Sequence, residues 1–92
     1  MRLVIEVIEI KGRCPVYKKG DKIVFDDGYR LNLKETDALC IHSLASILPY
    51  YNAIYRGVSP KDMGLGDGYV QCLDPLEFTG GGTVIFKIEV KP

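Results

Sequence analysis

Charge of one sign is missing from this sequence. Twelve lysines and arginines stand against twelve aspartates and glutamates, a formal net charge of zero. Nucleic-acid modules and polybasic membrane binders ordinarily carry a basic excess, so neither class is expected. Long apolar runs are missing too. No stretch approaches the roughly 18 residues of a membrane span, and no signal-peptide pattern opens the chain. Cysteine is scarce and odd in number: Cys14, Cys40 and Cys72, far apart. Small secreted scaffolds usually carry an even set for pairing, so no disulfide framework is expected. A cytoplasmic location with reduced thiols follows as the expectation.

What is present suits one folded domain, residues 1–92, with 47% hydrophobic and 26% charged residues. A chain this long buries only roughly 60–65% of the surface that its unfolded form exposes. A stability of roughly 5–14 kcal/mol is the generic expectation at this length.

The pattern along the chain is β-β-(β)-α-β-β. Arg2 to Ile10 is rich in β-branched residues, with Leu3, Ile5 and Val7 on one face and Val4, Ile8 and Ile10 on the other. Two apolar faces predict a central strand. Gly12 to Gly20 reads as a connection, because Pro15 removes a backbone donor. Lys22 to Phe25 is a second strand, and Asp27-Gly28 is a hairpin signal into a short strand at Tyr29 to Leu33. Thr36 or Asp37 is the predicted N-cap of a helix. Ile41, Leu44, Ile47, Leu48, Tyr51, Ile54 and Tyr55 recur at helical spacing as one apolar stripe, and Gly57 closes it. Pro49 lies inside and predicts a kink, or two short helices meeting at Leu48. Val58 to Gly68 and Asp74 to Gly82 read as loops around a short strand, Tyr69 to Leu73. The last strand, Thr83 to Val90, turns Val84, Phe86, Ile88 and Val90 one way. The economical solution is an α+β fold: a small, mostly antiparallel sheet with one kinked amphipathic helix packed on one face. On the other face, partly exposed Ile8, Ile10 and Ile85 would hint at a partner or a dimer.

Cys14, Cys40, Cys72 and His42 have the residue types of a tetrahedral zinc site. Zinc or iron would be the expected ion, since thiolates suit soft and borderline metals. The spacing lacks any paired-cysteine knuckle. On a regular helix Cys40 and His42 would also point apart, because two residues make about 200° of rotation. They share a metal only if Cys40 belongs to the preceding turn. A second reading is thiol chemistry at Cys40. Near a helix N-terminus the dipole and free N–H groups favour thiolate, opposed here by Asp37 and Glu35, with Cys14 as a resolving thiol. A third reading makes all three cysteines core packing.

Other candidates are plainer. Gly80-Gly81-Gly82 could cradle an anion through backbone N–H groups, or could simply let two backbones approach. Asp26, Asp27, Asp67 and Asp74 flank turns, where aspartate bonds the local backbone. His42, Ala45, Ser46, Pro49, Asn52, Ala53 and Arg56 form the opposite helix face, either solvated or a partner interface. Tyr50 is the tyrosine expected at the surface and the candidate partner contact.

The segments Cys14-Pro15-Val16-Tyr17-Lys18-Lys19-Gly20-Asp21, Ala38-Leu39-Cys40, Leu48-Pro49-Tyr50, Cys72-Leu73-Asp74-Pro75 and Val84-Ile85-Phe86-Lys87-Ile88 occur in this order. Together they resemble a family of small bacterial and archaeal proteins of about this length, for which no activity is established. The resemblance implies that the three cysteines are motif positions and that Pro49 is a regular feature of the helix. Members often carry a histidine four residues before this proline, where this chain has Ala45. The expectation from residues and resemblance together is a small cytosolic binding or accessory protein, with a homo-oligomer or a protein partner as its expected assembly. Its site would be Cys14, Cys40 and Cys72. The alternative is a small thiol-dependent redox enzyme with Cys40 as its reactive thiol.

Overall fold

The two longest apolar segments pair with each other. In a computed structural model that describes residues 1–92, β1 (Arg2–Gly12) runs antiparallel to β5 (Gly82–Lys91), from Arg2 opposite Lys91 to Gly12 opposite Gly82. β2 (Lys22–Asp26) lies on the other edge of β1, and β3 (Arg30–Leu31) lies beyond it. β4 (Tyr69–Gln71) borders β5. The order is β3-β2-β1-β5-β4, every pairing antiparallel, with β1 central as its two apolar faces predict. The β2–β3 hairpin turns on Asp27 and Gly28, both at positive φ, and is closed by the Tyr29 N–H to the Asp26 carbonyl at 3.2 Å. That is the primed turn that Asp-Gly favours.

One helix of 15 residues, α1 (Ile41–Tyr55), packs on one face. Leu3, Ile5, Val7, Ile23, Phe25, Val70, Val84, Phe86 and Ile88 of the sheet form the core with Ile47 and Ile54 of α1 and with Tyr17. Each such side chain contributes roughly 1.5–3 kcal/mol relative to exposure. The architecture is the α+β arrangement expected from the sequence.

Several local features differ from the sequence pattern. The β1–β5 pairing steps from Val7–Phe86 to Glu9–Ile85, so Ile8 is an unpaired bulge residue. A bulge resets the alternation by one residue. Ile10 therefore turns to the helix side, opposite Val84, and packs on the core rather than on the far face. On that far face Val4 and Val24 pair and are buried. Glu6 stands between Lys22 and Lys87, and Arg2 pairs with Asp26 and Glu35. The surrounding surface is thus charged, with opposite signs on neighbouring strands.

The helix begins later than Thr36 or Asp37, with Cys40 as its N-cap. Those two residues serve β2 instead. Thr36 Oγ1 accepts the Val24 N–H at 3.0 Å, and Asp37 Oδ2 accepts the Lys22 N–H at 2.8 Å. A two-residue β3 leaves those strand groups open, and nearby hydroxyl and carboxylate oxygens fill them. The helix passes through Pro49 as one element, not two. It ends as predicted at Gly57 (φ +100°), with the Val58 N–H bonded to the Ala53 carbonyl and the Gly57 N–H to that of Ile54.

The buried helix line also differs. Ser43, Ser46, Ile47 and Ile54 are buried, whereas Ile41 and Leu48 of the expected stripe are 74% and 51% exposed. Both serines find partners: Ser46 Oγ donates to the Gln71 carbonyl at 2.6 Å, and Ser43 Oγ to that of Cys40 at 2.7 Å. Small, satisfied hydroxyls can face the core without penalty. Tyr50, expected at the surface, is half-buried and packs against the core. The segment after β4 contains a single helical turn, α2 (Leu76–Thr79), where the sequence pattern reads as loop; a 3-10 turn, Pro60–Met63, does the same before β4. No helix is long and apolar enough to cross a membrane.

Candidate functional site

β1 ends and β5 begins at one end of the sheet, where Gly12 faces Gly82. Three connections meet there. One leaves β1 through Arg13 to Val16, one enters α1 at Cys40, and one runs from Cys72 to Gly81 before β5. Together they line an open cleft of about 700 Å³, and each brings one cysteine to it: Cys14, Cys40 and Cys72. All three are free thiols and half-buried.

Each cysteine is held by local hydrogen bonds. Cys14 Sγ accepts the Tyr17 N–H at 3.3 Å. Cys72 donates its N–H to the Val84 carbonyl at 2.8 Å, and its own carbonyl accepts from Thr83 Oγ1 at 3.2 Å. Cys40 sits in a closed ring. Its N–H donates to the Tyr17 hydroxyl at 2.8 Å, that hydroxyl meets Ser43 Oγ at 2.7 Å, and Ser43 Oγ donates back to the Cys40 carbonyl. Because Ser43 spends its proton on that carbonyl, the Tyr17 hydroxyl is the donor to Ser43. Tyr17 thus reaches Cys14 through its backbone and Cys40 through its side chain. Its ring stands edge-on to Phe86 at 5.4 Å, anchored in the core.

Sequence reasoning missed Tyr17. The available signal was an aromatic residue in a Pro-containing connection, where solvated residues are the rule. Burial pushes the Tyr17 hydroxyl above its ordinary 10.0, partly offset by its hydrogen bonds with the Cys40 backbone and the Ser43 side chain. The folded state therefore holds this proton more tightly than the unfolded state. The associated stability is whole below pH 10 and is lost as pH rises through the folded value. Tyr17→Phe orphans the Cys40 N–H and is expected to cost about 1–3 kcal/mol at neutral pH. Paired urea titrations should show the gap between wild type and variant narrowing above pH 10. A constant gap would show that the hydroxyl is not held as described.

His42 also lines the cleft, although it is exposed. The rotational objection to Cys40 and His42 sharing a side falls away, because Cys40 precedes the helix. Even so, no three His, Cys, Asp or Glu side chains stand close enough together to hold one metal ion. The expected cluster of Cys14, Cys40 and Cys72 is a shared cleft rather than a closed cage. The carboxylates expected to oppose a Cys40 thiolate are turned away. Asp37 bonds the Lys22 N–H, Glu35 pairs with Arg2, and the first turn of α1 holds no acidic residue.

The glycine run acts by close approach, not as an anion cradle. The Gly80 N–H is bonded to the Leu76 carbonyl and the Gly81 N–H to Thr79 Oγ1. Thr79 in turn bonds Asp74, and the Arg13 N–H bonds the Gly81 carbonyl. Ala45, where the resemblance places histidine, is part of the cleft wall. The chain matches no protein-family model, no curated protein and no solved structure.

Proposed function

We propose that the protein is a small binding or accessory module whose ligand is held through sulfur in the cleft. One observation carries this reading. Three cysteines far apart in sequence, from three separate connections, open onto the same cleft, each with its backbone or sulfur pinned. All three also pack against the edge of the core, so their shared opening onto the cleft, not their burial, is what favours sulfur chemistry.

Two sulfur chemistries are available there. A soft ion such as zinc or iron suits thiolate donors, and its uptake would need the three connections to close, since no cage stands ready. Thiol exchange needs no such closure, because one sulfur suffices. A redox enzyme using Cys40 is the second reading. It is favoured by Cys40 standing at the start of α1 with no side-chain cap and no acid in the first turn.

Elemental analysis of protein purified without oxygen or chelator, beside a count of thiols titratable in the native state, tests the proposal. Near-stoichiometric zinc or iron with protected thiols identifies an ion as the ligand. No metal with at least one reactive thiol identifies thiol exchange. No metal and no reactive thiol would return the cysteines to packing and end the proposal. For the redox reading, Cys40 should alkylate faster at neutral pH than the same thiol in unfolded chain.

A further inference from the structure

The cleft is far larger than an ion requires. Its 700 Å³ lies within the roughly 300–1,000 Å³ of small-molecule sites. Its walls are mainly apolar: Pro15, Val16, Ile41, Ala45, Leu73 and Pro75. Ile41 and Leu73 are 74% and 66% exposed, so apolar surface is open to a ligand. Charged groups are few and mixed in sign. Arg13 and Asp74 line it, with His42 at the helix start, and Asp74 is already engaged by Thr79. The sulfurs sit on three different segments rather than at one point.

We infer that the cleft takes an uncharged, low-molecular-weight organic disulfide with an apolar body and captures half of it as a mixed disulfide. The inference rests on the reading of the cleft as a sulfur site and names its ligand class. Apolar walls supply non-directional affinity for the body of such a molecule. A cleft cysteine, ionised by loss of its proton to solvent, attacks one ligand sulfur. A protein–ligand S–S bond forms as the ligand S–S bond breaks. The departing thiolate takes the bonding pair and a solvent proton. The cysteine sulfur is oxidised and the departing sulfur reduced, so the ligand is its own oxidant.

The test is stopped-flow kinetics of the reduced protein, prepared without oxygen, with two aromatic disulfide reagents. Dithiodipyridine is uncharged, and dithiobis-nitrobenzoate carries two carboxylates. With dithiodipyridine the native rate should saturate as reagent rises, revealing a complex before chemistry, whereas urea-unfolded chain should respond linearly. Normalised to unfolded chain, dithiodipyridine should outpace the charged reagent by about tenfold or more, the discrimination that a single apolar contact can supply. Leu73→Asp, at an exposed position, should abolish saturation while leaving the thermal melt unchanged. A linear native response to dithiodipyridine, or equal normalised rates for the two reagents, overturns this inference alone. So does stoichiometric metal in the purified protein. Absence of any reactive cleft thiol overturns both the inference and the sulfur site beneath it.

Discussion

Phe86→Ala is expected to cost about 4 kcal/mol, a large share of the stability available to a chain of this length. Phe86 has no exposed surface and lies in β5 opposite Val7 of the central strand and Val70 of β4. Truncation removes the transfer free energy of the ring and leaves a cavity that the paired strands cannot close. The damage reaches the cleft, because the Tyr17 ring leans edge-on against Phe86. With that support gone, the hydroxyl that receives the Cys40 N–H loses its fixed position. Urea denaturation should report the stability loss. Under native conditions Cys40 should also be alkylated at an altered rate, while Cys72, held from β5 and Thr83, changes less. A loss below 1.5 kcal/mol, the size of a volume-conserving swap, would mean that the core repacks around the gap.

Gly82→Ala is expected to cost about 3 kcal/mol, for a different reason. A Cβ at this position would overlap the carbonyl and the amide nitrogen of Arg13. Backbone atoms cannot rotate away, so the last rung between Gly12 and Gly82 must open. That rung sets the spacing between the Cys14 and Cys72 segments, so the cleft widens with it. Gly80→Ala is the matched control. It has nothing within 4 Å of the added carbon but sits at φ +71°. It should cost only the left-handed backbone penalty, about 1–2 kcal/mol, and leave the cleft as it is. Thermal melts of both variants, with native thiol titration beside them, separate a steric cost from a conformational one. Equal losses and equal thiol counts would show that the approach of Arg13 to Gly82 is not what shapes the cleft.

Much of the fold was legible because periodicity reports which side of an element is dry. Val84, Phe86 and Ile88 alternate, and β5 buries that face. Val4 and Ile5 share an apolar segment, and β1 is central with both buried. Asp27-Gly28 and Gly57 marked positions where only a left-handed backbone turns the chain, and both turns are there. These are local properties, and neighbouring residues encode them.

The helix start and its buried line were not legible. Thr36 and Asp37 are good caps by type, but an unpaired β2 edge claimed their oxygens. Ser46 read as part of the outward helix face until the Gln71 carbonyl supplied a partner, and nothing in the pattern marked Ser43, whose partners are the Cys40 carbonyl and the Tyr17 hydroxyl. Ile10 changed face because one bulge residue, Ile8, reset the alternation. For Thr36, Asp37 and Ser46 a group distant in sequence outbid a local preference worth about 1 kcal/mol.

The candidate site divides in the same way. Sequence by itself determined which residues have soft, nucleophilic chemistry: Cys14, Cys40 and Cys72, without disulfide spacing or a knuckle. Only the tertiary structure decided that they share a cleft and that Cys40 precedes its helix rather than joining it. It also decided that Tyr17 joins two of them and that their sulfurs stop short of a cage. Residue identity sets what a side chain can donate or accept. Which side chains meet is set by sheet register and backbone approach, such as Gly12 against Gly82, and those are contacts between segments some seventy residues apart.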